Sequence, residues 1–591
     1  MNATGGWIPN CSLFAVFLAF AAPVAGATGD DHAKVPARNE ARVGAVASSP
    51  AGDESEIVEL KRLLSDQQKQ ISEQQRQIEE LRSLVREQGR VLTRISATAD
   101  AKTPPAAVQP SDERTTNAIA SAAPMLPPAS GPARLSVLPA SQGTGEGQEA
   151  SPLQLRVGSA YITPVGFMDF TAVVRDTAPG SGIGTNFGNF PYRTRGSATG
   201  NLSEFRFSPQ NSRLGMRVDA EVKGAQVMGY WESDFLGGVG NPPVGNVAVS
   251  SNSYPFRLRL YWVNVRKGKF EFLGGQTWSL ITPGRKGISP LPGDLFYTHD
   301  IDVNYQLGLV WGRIPEFRMV YHPSPKVAIA LALDNPEQYI GGSGGAGRID
   351  LPANLGTAYA GQLNNGSTTL GVPNLHPDII AKIAFDPTLP NGNAFHFELG
   401  AVERTFRTFN PLTGRHYTAA GMGVQANLSF ELVKGFRFLT NNYWSDGGGR
   451  YIFGQAPDLV VRNDGSISLV HSYSTVTGFE LTHNNFLAYA YYGGVYIARN
   501  VILAPNNGGF VGYGFPGSSD GHNRSIQEAT IGFNNTFWKD ARFGALSFIT
   551  QYSYFVRSPW YTSSGAPKNT HLNEVFLDLR YTLPGSAPAL K

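Results

Sequence analysis

Cysteine is almost absent from this 591-residue chain, the only one being Cys11. Cys11 falls in an N-terminal leader, so the mature protein is expected to hold no disulfide and no thiolate metal ligand. Charge is also scarce, at 16% of residues, where globular domains carry about 25%. The net charge of +3 selects no class of partner. No basic cluster is interleaved with aromatics, which argues against nucleic acid. The ten histidines are scattered without metal-ligand spacing, and no cofactor is expected. Long apolar runs are missing as well. Nothing after residue 30 approaches the roughly 20 apolar residues that a membrane helix needs. What is abundant instead is Gly (67) and aromatic residues (11%). Low charge with much Gly, Tyr and Phe fits an exterior that meets lipid. The strands of a membrane barrel alternate lipid-facing and lumen-facing residues, so none of them reads as strongly apolar.

The chain divides by composition. Residues 11–27, CSLFAVFLAFAAPVAGA, are too short to span comfortably and end in the small-x-small site Ala25-Gly26-Ala27, which is read as a signal peptide over 1–27. Met1 to Asn10 lack the Lys or Arg usual in such a leader, which points to a start codon elsewhere. Residues 28–54 are small, polar and read as disordered. From Ile57 to Ile95 the pattern becomes a heptad. Ile57, Leu64, Ile71, Ile78, Val85 and Leu92 hold position a; Leu60, Gln67, Gln74, Leu81, Gln88 and Ile95 hold position d. This reads as an α-helical coiled coil over 55–97, a rod of about 58 Å. Residues 98–152, rich in Ala, Pro and Ser, read as a linker.

From about Tyr161 the period is two. In Arg213–Val222 the residues Arg213, Gly215, Arg217, Asp219 and Glu221 alternate with Leu214, Met216, Val218, Ala220 and Val222. Strands are expected at 161–175, 202–222, 225–236, 256–267, 269–279, 306–322, 326–334, 378–386, 394–406, 418–433, 436–445, 471–482, 485–496, 525–538, 541–557 and 572–583. That is about sixteen, and the connections alternate between tight turns such as Lys223-Gly224 and long loops, among them 280–305 and 407–417. The expected fold of 153–591 is therefore an all-β transmembrane barrel of about 16 antiparallel strands, preceded by the coiled coil. Its tight turns would face the periplasm, on the side of the N-terminal segment. Trp278, Trp444, Trp538, Trp560, Tyr443 and Tyr581 fall at or near strand ends, where rings favour a membrane interface.

Several stretches together resemble one family. They are Ser212-Arg213-Leu214-Gly215, Arg257-Leu258-Arg259-Leu260-Tyr261, Gly275-Gln276-Thr277-Trp278-Ser279, and Arg318-Met319-Val320-Tyr321 followed by Ala332-Leu333-Asp334-Asn335-Pro336-Glu337. With the preceding heptads they resemble the DcaP-like outer-membrane porins, over about residues 160–340. The resemblance implies a sixteen-stranded barrel in the bacterial outer membrane, a homotrimer, a periplasmic N-terminal helix, and passive uptake of small anionic solutes such as dicarboxylates. The C-terminus departs from barrels that end on an aromatic residue: Tyr581 is followed by Pro584 to Lys591, so an assembly signal would be internal.

Strand parity places Arg213, Arg217, Arg257, Arg259, Arg318 and Arg437 on the expected pore face, together with Asp169, Asp219, Glu221, Glu232 and Asp234. One reading makes the arginines of the second, fourth and sixth strands a basic ladder for anions, since a guanidinium is permanently charged and matches carboxylates. The other pairs these charges with one another along a hydrated wall. The loop at 280–305 holds Arg285, Lys286, Asp294, Asp300 and Asp302; by analogy with trimeric porins it is expected to fold into the barrel and narrow it, and the alternative is an external loop. Gly341-Gly342-Ser343-Gly344-Gly345 matches a serine-nucleophile pattern, and Gly342–Gly347 a dinucleotide pattern. Neither lies at the strand-to-helix turn such chemistry requires, so no enzyme is expected. A structural alternative is an envelope tether, in which the coiled coil reaches the cell wall and the barrel is an anchor.

Overall fold

The structure is a computed structural model that describes residues 151–237, 254–291, 295–301, 305–342, 347–359, 361–366, 372–504 and 509–584. The expected leader, coiled coil and nearly all of the linker lie outside these residues, as do Asp294 and Asp302.

Alternation at period two produces the strands, and their pairing closes them into a ring. In chain order they are β1 (Ala160–Arg175), β2 in two halves (Glu204–Ser208 and Arg213–Val222), β3 (Ala225–Asp234), β4 (Arg257–Lys267), β5 (Phe270–Trp278), β6 (Arg313–Ser324), β7 (Val327–Asp334), β8 (Asp378–Phe385), β9 (Phe395–Asn410), β10 (Arg415–Val433), β11 (Phe436–Asp446), β12 (His471–His483), β13 (Phe486–Ile497), β14 (Asn523–Asp540), β15 (Gly544–Pro559) and β16 (Thr570–Thr582). Each pairs antiparallel with the next, and β16 returns to β1 with Thr582 opposite Phe167 and Glu574 opposite Arg175. Below that seam a short strand, Leu155–Val157, pairs with Ile162–Ala160 and continues the track of β16. The result is a closed sixteen-stranded antiparallel barrel. Among the described residues no helix is long and apolar enough to cross a membrane.

The tight turns lie at one end. Lys223 (φ 50°) and Gly224 (φ 74°) give the two left-handed residues of a type I′ hairpin, whose twist matches the flanking strands. At the other end the connections are long, with one exception. The stretch expected as a loop at 407–417 is mostly strand: β9 runs to Asn410 and β10 starts at Arg415. The four residues between close as a turn, with Gly414 N–H donating to Asn410 O at 2.8 Å.

The outer face is apolar, as lipid requires. On β7, Ile329, Leu331 and Leu333 are exposed while Ala328, Ala330 and Ala332 are buried inside. A register shift opposite Glu232–Ser233 turns both Arg259 and Leu260 inward and leaves Tyr261 facing out, as a β-bulge does. Two of the expected interfacial rings point the other way. Trp444 is exposed at 52%, but its neighbour Tyr443 is fully buried inside, because successive strand residues face opposite sides. Trp278 also points inward, into a cluster with Tyr230, Leu260 and Trp262.

The described residues of the β5–β6 connection, 279–291, 295–301 and 305–312, run inside the barrel. Gly493 on β13 and Gly308 of the loop make this approach possible: a Cβ on Gly493 would collide with Leu307 O, and one on Gly308 (φ 90°) with Thr475 O. Gly493→Val is expected to push the loop off the wall by overpacking, at about 1–3 kcal/mol. A lower heat-unfolding midpoint together with faster protease cleavage within 279–312 is the measurement; unchanged cleavage would mean the loop does not rest on β13.

Candidate functional site: the lumen-crossing loop and its charged walls

The loop is seated by polar contacts to inward-facing side chains around the ring. At its start, Ser279 Oγ donates to Asp334 Oδ2 at 2.6 Å and Leu280 N–H to Glu316 Oε2 at 3.2 Å. Gly284 N–H then donates to the Glu398 carboxylate of β9 at 3.0–3.1 Å, and Gly287 N–H to Asp386 Oδ2 at 2.9 Å. Arg285 forks onto Glu480 of β12 at 2.8 and 2.6 Å, the bidentate geometry a guanidinium favours. Farther along, His299 N–H donates to Gln551 Oε1 on β15 at 2.8 Å, and Leu307 N–H to Glu528 Oε2 on β14 at 2.9 Å. The chain leaves through Trp311 N–H to Tyr451 O at 2.7 Å. Apolar loop residues Leu280, Ile281 and Ile288 share a cluster with the inner alanines of β7 and with Ile380 of β8. A loop with these contacts crosses the interior from β5 toward β14–β16. Lys286 lies within it, half-buried.

The inward arginines stand among carboxylates. Arg259 is fully buried and bridges Glu232 and Asp234, at 2.7 Å to each. Arg257 reaches the same Asp234 at 2.5 Å, Arg217 reaches Asp219 at 2.7 Å, and Arg213 lies 4.0 Å from Glu232. Arg318 pairs with Glu316 at 2.6 Å. Arg437 is directly opposite Glu480 on one side and Glu431 on the other. Asp169 is held by Arg580 at 2.5 Å, and Glu221 is exposed near the tight-turn end of β2. The β2–β4 wall is thus a charge-compensated lattice rather than a row of lone cations.

Asp169, His299 and Asp578 bring potential ligand atoms within 4.8 Å of one another. The cation among them is already present: Arg580 Nη2 lies 3.1 Å from His299 Nε2 and 3.5 Å from Asp578 Oδ2, beside Asp169. The guanidinium supplies the positive charge that the two carboxylates face.

The acidic residues that seat the loop, Glu398, Glu480, Glu528 and Asp578, escaped the sequence reading, as did Arg175, Arg404 and Arg580. The parity rule used on β1–β6 and β11 would have found them on β1, β9, β12, β14 and β16. What it lacks is the loop that makes them matter. At the long-loop end, further connections also fold inward. Phe187, Ile340, Leu355, Leu459, Val460 and Tyr513 pack with the inward residues Phe406 and Val495 in one buried apolar cluster. Arg404, fully buried, ties this end together through Asp378 at 3.0 Å and Asp458 at 2.8 Å. Burial raises the Asp458 carboxyl above the ordinary carboxylate value, and Arg404 partly offsets this.

The chain is similar to the outer membrane channel DcaP of Acinetobacter baumannii. Identity is 16%, over 72% of this chain and 97% of that one, with a TM-score of 0.48. An anion-selective porin from Comamonas acidovorans matches at 9% identity, over 71% and 99%, with a TM-score of 0.40. OmpF of Salmonella typhi, in complex with daunomycin, matches at 8% identity, over 72% and 99%, with a TM-score of 0.39. No protein-family model matches the sequence, and no curated protein does.

Arg259→Ala leaves Glu232 and Asp234 facing each other without their shared guanidinium. Breaking a buried ion network from one side costs about 3–5 kcal/mol. Arg259→Ala is therefore expected to unfold at clearly lower temperature or denaturant than wild type, and Arg259→Ala combined with Glu232→Gln to recover part of the loss. Equal stability of wild type and the single variant would show that the network contributes nothing.

Proposed function

We propose that this protein is a porin of the bacterial outer membrane, through which small hydrophilic solutes diffuse passively. The observation that carries this reading is the combination of an apolar outer face with an ionic inner face crossed by the 279–312 loop. A soluble barrel would bury its apolar face, and a bare anchor would have no use for a loop seated on inward carboxylates. The resemblance read from the sequence adds three finer elements to the proposal: assembly as a homotrimer, an N-terminal segment in the periplasm, and a preference for small anions such as dicarboxylates.

The solute preference follows from how charges are balanced. Arg213, Arg217, Arg257 and Arg259 face Asp219, Glu232 and Asp234 in contact, so little net field from this wall reaches the lumen. An anion preference would have to rest on arginines that exchange a wall carboxylate for a solute carboxylate in passing. The tether reading depends on residues 55–97, which lie outside the described residues.

Planar-bilayer recording tests the channel directly. Single-channel steps with linear current–voltage behaviour are expected, and a silent bilayer with correctly folded protein would sink the proposal. In a salt gradient, Arg257→Ala with Arg259→Ala is expected to shift the reversal potential toward cations, because Asp234 and Glu232 lose their counter-charges. An unshifted potential would place selectivity elsewhere in the lumen.

A further inference from the structure

We propose that Asp300 is a positioning residue for the lumen-crossing loop, and that it docks against the wall residues Glu528 and Glu574 as a neutral carboxylic acid whose proton supplies the donor this carboxyl cluster lacks. Raising the pH then releases this end of the loop. The effect on conductance rests on the channel reading above; the docking itself does not.

The case begins with donors and acceptors. Asp300 is fully buried. Its Oδ1 accepts from Gln551 Nε2 and from Ser553 Oγ, the latter at 3.2 Å. Its Oδ2 has no donor within reach; the Ser553 hydroxyl, 3.2 Å from both Asp300 Oδ1 and Glu528 Oε1, joins these two carboxyls, and the charge of Glu574 acts on Asp300 as well. Glu528 is itself occupied. Its Oε2 accepts from Leu307 N–H, and its Oε1 lies 3.2 Å from the same Ser553 hydroxyl. Glu574 Oε2 accepts from Arg175 Nε at 2.9 Å and from Thr185 Oγ1 at 2.5 Å, while its Oε1 has no donor. Two buried carboxyl oxygens in one cluster thus lack a donor. A single proton on a carboxyl of the cluster supplies one, since a protonated acid donates where a carboxylate can only accept.

The charges around Asp300 point the same way. From β1, Arg175 is the guanidinium in contact with the cluster, and it is shared between Glu574 and Glu204, the latter at 2.7 Å. From β16, Arg580 is committed to Asp169 and Asp578. From β13, Tyr489 contributes a hydroxyl that donates to Gln551. On the loop itself, His299 faces Asp578 at 3.3 Å. Three buried carboxyls and one divided cation cannot all stay ionised. Burial, followed by the charges of Glu528 and Glu574, raises Asp300 well above the ordinary carboxylate value.

The direction with pH is fixed by linkage. A detached Asp300 ionises at the ordinary value of about 4. The docked one holds its proton to higher pH, so docking binds a proton that release sets free. Docking is therefore at full strength below about pH 4 and weakens as pH rises toward the docked value. Every rise of one pH unit between those two values weakens docking about tenfold.

Asp300→Asn separates this mechanism from plain packing. The amide places an N–H₂ donor where the acid proton would be, keeps an oxygen for Gln551 and Ser553, and does not titrate. The experiment is amide hydrogen exchange over 295–301 in the detergent-solubilised full chain, corrected for the intrinsic pH dependence of exchange. Wild-type protection is expected to fall by at least about tenfold between about pH 5 and about pH 9, while Asp300→Asn stays protected throughout. Pre-alkaline and alkaline protection that are equal in wild type would overturn the proposal, as would an Asn variant that follows the wild-type profile. In bilayers, wild-type current is expected to grow noisier or larger at the alkaline end and the Asn variant to stay constant. A protein silent at every pH would remove the channel reading and leave the exchange profile to decide the docking.

Discussion

The constraint on which the rest depends is that no backbone polar group can be left unpaired in lipid. For strands the only solution is closure, and the seam shows how the chain reaches it. β1 is long and pairs with β16 along its upper half only, from Phe167 to Arg175. Its lower half would present an open edge, and the Leu155–Val157 strand covers the first residues of that edge. On its other side β1 pairs with both halves of β2, on either side of the break at 209–212. Closure in turn creates an interior with no other exit for charge. Inward ionic groups must be balanced by one another or by whatever enters the barrel, and here the 279–312 loop enters.

The strand framework was legible because the barrel imposes its period directly on the sequence. Where lipid stops, so does the signal. β9 and β10 continue through Arg407 to Asn410 and from Arg415 to Thr418, beyond the point where alternate residues must be apolar. That stretch reads as polar, so the sequence pattern alone predicts a loop there. The opposite error occurred before β6, where an expected strand began at 306. Leu307, Leu309 and Val310 do supply apolar side chains, but they bury them against the inner wall as part of the loop. An apolar pattern reports burial and not the surface that provides it.

The candidate site was legible in part, for a related reason. Parity tells which side of a strand a residue faces, and Arg213, Arg217, Arg257 and Arg259 do face inward. Partnership depends on register between strands, which parity does not contain. Arg259 meets two acids of β3 only because a bulge sits opposite Glu232 and Ser233. The aromatic residues show the same limit. Tyr443 and Trp444 are adjacent in sequence and cannot both lie against lipid, so counting rings near strand ends mixes two environments.

The inner carboxylates are best understood through the backbone of the loop. A segment crossing the barrel brings peptide N–H groups away from bulk water, and each needs an acceptor. Leu280, Gly284, Gly287 and Leu307 find theirs on Glu316, Glu398, Asp386 and Glu528. These acids therefore serve first as acceptors that hold the loop in place. Others serve as counter-ions: Glu480 to Arg285, Glu232 and Asp234 to Arg259. A carboxylate engaged in either way presents a weaker field to a passing ion than its formal charge suggests, because the donor's positive end cancels much of it at short range. The charge that a solute meets is then the remainder after these internal pairings. That remainder differs from the sum of ionisable side chains on the inner face, and the position of the loop sets it.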